Sequence, residues 1–245
     1  MDTGEMGDSF SGKGKRDTFR MRIKIVLFLL ILWVISVRGQ VLISLLLGDK
    51  LNTGQVEFGL EGGYNWATIT GMEANDVFST FNLGFYFFIR VNHPWYIYTG
   101  VLVRAQLGVD NLSANDLAFL GTEMYDHQGE YSQHVKTFLI PILIQYRYKN
   151  FFIETGPQFG LTHGTWVEFS YGDGKKEARI REFNQDLINR VDFGGMVGFG
   201  YKIPKKNGMS FAIKYYLGFR DVYKIRPGTH NRAIFLTITV PIGAK

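Results

Sequence analysis

The sequence predicts an all-β fold, an eight-stranded antiparallel transmembrane up-and-down β-barrel with short periplasmic turns and long extracellular loops. Three observations predict it. Eight stretches alternate apolar and polar residues with period two, which gives each strand one face for lipid and one for a polar interior. The connections between those stretches alternate short and long. The chain also carries 29 glycines, 21 phenylalanines, 13 tyrosines and 4 tryptophans in 245 residues, a composition suited to crowded interior positions and aromatic girdles.

The barrel pattern is preceded by a leader. Arg22 and Lys24 stand before an apolar run of 11 residues, Ile25 to Ile35, which closes on Ser36-Val37-Arg38-Gly39 ahead of Gln40. That order reads as a secretory signal peptide over residues 21–39. A transmembrane helix needs about 20 apolar residues, so the run is too short to be an anchor. Residues 1–20 are polar and read as a disordered extension or a misplaced start ahead of Met21. Residues 40–55, with the apolar Val41–Leu47, form a periplasmic N-terminal segment, and residues 56–245 form the barrel domain.

The first strand, Val56–Trp66, sets Val56, Phe58, Leu60, Tyr64 and Trp66 on one face and Glu57, Glu61 and Asn65 with Gly59 and Gly63 on the other. The second, Thr80–Val91, turns Phe81, Leu83, Phe85, Phe87 and Ile89 outward, and the third, Trp95–Leu107, does so with Trp95, Ile97, Val101 and Val103. The fourth, Val135–Tyr148, is apolar on both faces from Phe138 to Ile144. Its Pro141 lacks a ladder donor and predicts a bulge or kink. Phe151–Leu161, Val191–Ile203, Met209–Arg220 and Arg232–Ile242 complete the eight, each long enough for the roughly 9–11 residues of a tilted crossing. The interior row then holds Glu57, Glu61, Arg90, Arg104, Arg147, Glu154, Asp192, Lys202, Lys214 and Arg220 among glycines. In a narrow barrel such charges pair across the axis, because an unpaired charge in a low dielectric is costly.

Asn92-His93-Pro94, Lys149-Asn150 and Pro204–Gly208 are the short turns. Ala67–Ser79, Gly108–His134, Thr162–Arg190 and Asp221–Asn231 are the long loops. A soluble lipocalin-type barrel would reverse the faces, with charge outside and bulk inside; here glycine crowds the polar face and Phe and Ile the apolar one. Cysteine is absent, which removes disulfides and thiolate metal sites. Seven of the 27 basic and four of the 22 acidic side chains fall within residues 1–39, leaving 20 and 18, so the charge balance does not point to nucleic acid.

Three stretches resemble the PorT-like outer-membrane β-barrel family: Gly48-Asp49-Lys50-Leu51-Asn52 leading into Val56–Gly63, then Leu139-Ile140-Pro141-Ile142-Leu143-Ile144, and Phe151-Phe152-Ile153-Glu154-Thr155-Gly156-Pro157. The resemblance implies a Gram-negative outer-membrane barrel, with a link to type IX protein secretion in the named member. The chain departs from the general outer-membrane pattern in ending on Ile242-Gly243-Ala244-Lys245, without a C-terminal aromatic.

Chemistry is weakly signalled. His163, Thr165, Glu168 and Ser170, with Asp126-His127, lack a diagnostic catalytic spacing, and Asp110, Asn111, Asn115 and Asp116 lack the final Glu of a calcium loop. No catalytic residue, metal site or cofactor is expected. Trp166, Phe169, Tyr171, Lys175, Lys176, Arg179 and Arg181 make a mixed aromatic and basic loop that could contact protein or anionic glycolipid, or else form a hairpin continuing the flanking strands. The expected protein is a monomeric outer-membrane barrel with a binding or scaffolding role. Its partners would be outer-membrane lipid and secretion-machinery or other envelope proteins, or external ligands if it is adhesin-like.

Overall fold

The computed structural model describes residues 54–172, 177–204 and 208–242. The extension, the signal peptide and Val41–Leu47 lie outside the described residues. The strands are β1 (Val56–Ile69), β2 (Phe78–Asn92), β3 (Trp95–Val109), β4 (Glu130–Tyr148), β5 (Phe151–Gly172), β6 (Glu177–Phe183), β7 (Val191–Lys202), β8 (Ser210–Asp221) and β9 (His230–Pro241), with one short helix, α1 (Ala114–Leu120).

Eight strands close a ring in the order β4-β3-β2-β1-β9-β8-β7-β5, sealed by β4 pairing with β5. Every ladder is antiparallel. Closure matters because lipid offers no hydrogen bonds to a strand edge. The ninth strand, β6, lies outside the ring: its Ala178–Phe183 pairs with Trp166–Tyr171, the far end of β5. The loop Thr162–Arg190 is therefore largely a hairpin that carries β5 beyond the barrel wall.

The alternation sorts the side chains as the sequence requires. Ile153 and Ile213 on the outer face are 58% and 60% exposed, while Tyr86, Tyr98 and Tyr216 on the inner face are fully buried. The outer row of β4 and β5 is apolar as far as Phe138 and Leu161 and then changes to Lys136 and His163, which marks the upper limit of the lipid belt. Above that limit the interior is apolar: Ile69, Leu107, Val109, Val135 and Val167 from the strands meet Leu117 and Leu120 of α1 and Ile188 and Tyr223 of the loops.

Two expectations about the ladders are corrected. The register of β4 is the same on both sides of Pro141, against both β3 and β5. Pro141 interrupts the pairing locally, at Ile140 and Pro141 against β3 and at Ile142 and Leu143 against β5, but inserts no extra residue, so the register resumes unshifted beyond it. The irregularities lie instead on β3, between Leu102 and Ala105, and at Lys136–Thr137, where β5 accommodates His163. A bulge adds one residue and reverses facing beyond it. After Val103-Arg104 the buried positions are Ala105, Leu107 and Val109, and Arg104 is exposed over the outward-facing Phe81 ring, 6.0 Å from its centroid. Arg104 is thus not a lumen charge. The β2–β3 ladder itself runs only from Leu83–Arg104 to Asn92–Trp95; above it β2 stays with β1 and β3 with β4.

Adjacent glycines on β1 show how tightly the wall is drawn. A Cβ on Gly63 would strike the Leu236 backbone carbonyl of β9, whereas one on Gly62 would meet its nearest neighbour, Leu83, at 3.7 Å. Gly63→Ala is expected to destabilise the barrel by about 1–3 kcal/mol, as overpacking does, and Gly62→Ala to stay within about 0.5 kcal/mol of wild type. Urea unfolding of both variants in lipid vesicles checks the difference.

Candidate functional site

The lumen is filled by an ion network. Lys214 of β8, with 4% of its side chain exposed, lies 3.3 Å from Glu61 of β1 and 3.3 Å from Glu154 of β5. Its ammonium also stands 3.8 Å from the ring centre of Tyr98, whose hydroxyl donates to Glu61. Gln145 donates to Glu154 at 2.8 Å, and Arg147 donates to Gln145 while stacking over Tyr96 and Phe88 at 3.9 and 4.5 Å. At the short-turn mouth Lys202 pairs with Glu57 at 2.6 Å, and both line a cavity of about 170 Å³ with Arg90 and Arg147. Nearer the other end Asp192 accepts from the Tyr216 hydroxyl at 3.0 Å, the Asn231 amide at 2.9 Å and the Phe193 N–H at 3.0 Å. Arg220 departs from its expected place. It is exposed, beyond Gly218, where the β8–β9 ladder becomes irregular between Leu217 and Asp221, so it belongs to the rim and not to the lumen.

The long-loop end is stoppered. Ser113 caps α1 and shares a capping box with Asp116, and Gly121 ends the helix in the left-handed conformation. The buried Asp116 also accepts from the backbone N–H groups of Ala74 at 2.9 Å and Glu73 at 3.2 Å, and pairs with Arg226 at 3.3 Å. Burial alone would raise the Asp116 pKa, but the hydrogen bonds from Ala74, Glu73 and Ser113 outweigh it and hold the carboxyl below its usual range. One carboxylate thereby ties three loops together. The oxygen-rich group that the sequence sets between Asp110 and Asp116 serves this stopper: Asn115 donates to Glu73 at 2.9 Å and Asn111 to Asp76 at 3.0 Å.

Loop residues expected to meet a partner divide between the two faces of the hairpin. Phe169 is buried, packed on Tyr131 and Tyr125 with ring centres 4.5 and 5.1 Å away, so it is not a contact surface. Trp166 is also buried, though on the outer face, stacked on His134 at 4.8 Å and flanked by Lys136 and Arg181 at 4.9 and 5.2 Å. The extra residue at His163 explains both: Thr165, Val167 and Phe169 become inward positions paired with Val135, Gln133 and Tyr131. Tyr171 is half-buried against His127, and Arg179 and Arg181 are exposed. Lys175 and Lys176 lie outside the described residues.

On the outer face Glu168 gathers Arg181 at 2.6 Å, Arg179 at 3.5 Å and the Trp166 indole N–H at 3.3 Å. Burial works against the Glu168 carboxylate, but the hydrogen bonds from Arg181 and Trp166 and the Arg181 charge overcome it and lower its pKa. His134, above the lipid belt, is pushed down to about 4 because burial, together with the charges of Arg181, Arg179 and Lys136, outweighs the opposing pull of Glu168, so its imidazole is neutral at pH 7. His163, by contrast, is exposed and stacked on Phe138 at 4.4 Å, and Thr165 faces the opposite side of the sheet, so the structure does not assemble these residues with Ser170 as a nucleophile and base.

A family model described as outer membrane protein beta-barrel domain matches residues 48–224. The chain belongs to this outer-membrane β-barrel family. The protein is accordingly an outer-membrane protein, with its short turns at the periplasmic end and its long loops at the exterior. Among solved structures it is similar to Ail, the attachment invasion locus protein of Yersinia pestis, at 12% identity and TM-score 0.38, covering 77% of this chain and 99% of that one. It is similar also to the Neisserial surface protein NspA, at 7% identity and TM-score 0.40 with 75% and 96% covered, and to OprG from Pseudomonas aeruginosa, at 11% and 0.36 with 76% and 93% covered. No curated protein matches the sequence.

Lys214→Met leaves Glu61 and Glu154 facing each other without a counter-ion and is expected to cost about 3–5 kcal/mol, measurable by denaturant unfolding. A second expectation concerns acid. The depressed pKa of Asp116 means that its stabilisation is complete above the ordinary Asp value of about 3.9 and is lost as pH falls through the lower folded value. The protection factors of the α1 amides, with the intrinsic pH dependence of exchange divided out, should stay constant from neutrality into the mild acid range and then fall. Asp116→Asn should give lower protection with no such pH step.

Proposed function

We propose that this outer-membrane barrel is a non-conducting, non-enzymatic binding or scaffolding protein that works with other envelope proteins as an accessory of protein secretion. The observation that carries the reading is the doubly closed lumen, with Lys214, Glu61, Glu154 and Arg147 filling its centre and α1 with its apolar contacts closing the exterior end. A barrel filled in this way presents its surfaces and ends, rather than its axis, to partners. The secretion role is supported by the resemblance of the Ile140-Pro141 strand and the Glu154–Pro157 strand to PorT-like barrels.

A second reading, an adhesin-like barrel, is favoured by the β5–β6 hairpin, which stands clear of the lipid belt with Phe183 at its base 74% exposed and Arg179 and Arg181 open to solvent. Deletion of the gene with complementation separates the two. Cargo retained in the periplasm supports the secretion role; unchanged secretion together with loss of surface attachment supports the adhesin. In planar bilayers the purified protein is expected to give no stable single-channel steps, and a reproducible conductance on the order of a nanosiemens, as water-filled barrels give, would overturn the closed-lumen reading.

A further inference from the structure

We propose that the outer wall of β3, β4, β5 and β6, immediately above the lipid belt, is a binding site for the phosphorylated headgroup of an outer-leaflet glycolipid. A pocket of about 520 Å³ opens there, lined by Arg104, Lys136, Trp166, Glu168 and Arg181, with the apolar Phe81 and Val103 at its lower side. The pocket therefore straddles the level at which the outer surface passes from apolar to charged, where the headgroups of the outer leaflet lie.

Charge and orientation both fit an anion. Arg104, Lys136, Arg179 and Arg181 line the pocket with one carboxylate, Glu168, and the two histidines in the lining include the neutral His134. Glu168 engages Arg179 and Arg181, whereas among the described residues Arg104 and Lys136 form no ion pair. Lys136 rests over the Trp166 ring, and Trp166 is fixed in turn by His134, so the ammonium is held at the pocket by a rigid aromatic platform. Arg104 reaches this face only because the β3 bulge reverses its direction. Aromatic rings with basic side chains at headgroup level are the usual means by which membrane proteins meet anionic lipid. The outward Phe81, Val103 and Phe138 beneath supply the apolar surface for its acyl chains.

The inference rests on the outer-membrane setting and not on the closed lumen, so a conducting barrel would leave it standing. The test uses the full-length barrel in detergent micelles, titrated with bis-phosphorylated lipid A and followed by native mass spectrometry. Wild type is expected to bind this lipid about 10- to 100-fold more tightly than the dephosphorylated form, the range of one or two charge-assisted hydrogen bonds. Arg104→Ala with Lys136→Ala should lose the preference, while Arg104→Lys with Lys136→Arg, which keeps both charges, should retain it; heat-modified gel mobility confirms that each variant is folded. Equal binding of the two lipids by wild type, an unchanged preference in the double alanine variant, or displacement of the glycolipid by inorganic phosphate at equal concentration would each overturn the site.

Discussion

One ammonium group sets the interior of this barrel. Lys214 projects from β8, which stands two places round the ring from β1 on one side and from β5 on the other, and it meets a carboxylate from each. Tyr98 comes from β3, across the ring from β8, and reaches both the ammonium and Glu61. Four strands are thereby tied through the axis by side chains alone. Charge in such a place is tolerable only as a complete set, since each member is desolvated and depends on the others. The glycines that face inward beside it follow from the same crowding: a Cβ on Gly198 would lie 3.0 Å from Glu154 and 3.1 Å from Lys214.

Much of this was legible in the sequence because a strand in lipid has only two faces and each must be uniform. Period two located eight strands and assigned the faces of Glu61, Glu154 and Lys214, which the ring then brings together, and of Glu57, which meets Lys202 at the mouth. What alternation cannot supply is a change of phase. Val103-Arg104-Ala105 contains neither Gly nor Pro to announce the β3 bulge, so Arg104 reads as an interior residue although it faces outward. The added residue at His163 likewise reverses the phase of the hairpin, so Trp166 faces outward and Phe169 inward, and residues grouped as one loop surface belong to the two faces of a strand. Pro141 is the reverse case, a conspicuous signal with no shift in register behind it.

The short helix was hidden for a different reason. Ser113 and Asp116 have the spacing of a capping box and Gly121 that of a helix stop, but four oxygen-bearing residues in a long loop also invite comparison with an ion site. Their hydrogen bonds instead go to the loop after β1, and the helix they start presents Leu117 and Leu120 to the barrel interior. The two halves of the lumen are thus filled by different physics: charge matched across the axis in the lipid-embedded half, and apolar burial at the exterior end where loops are long enough to fold inward.

The early end of the β2–β3 ladder divides the wall into regions of unequal strength. Above Leu83–Arg104 the seam is spanned by a bridge between Asp76 and Asp110 just beyond the two strands, by the Asn65 amide of β1 donating to the Gln106 carbonyl of β3 at 2.9 Å, and by Phe78 of β2 against His134 of β4 with ring centres 4.7 Å apart. Side chains there stand in for a continuous run of backbone bonds. Fewer backbone hydrogen bonds cross this seam than cross any full ladder, so the exterior part of the wall depends more on its side chains and its apolar filling than the periplasmic part does. The periplasmic part of the cylinder is a collar closed by backbone ladders, whereas the exterior part is a sleeve whose seam is held by side chains and by the loops that Asp116 ties together.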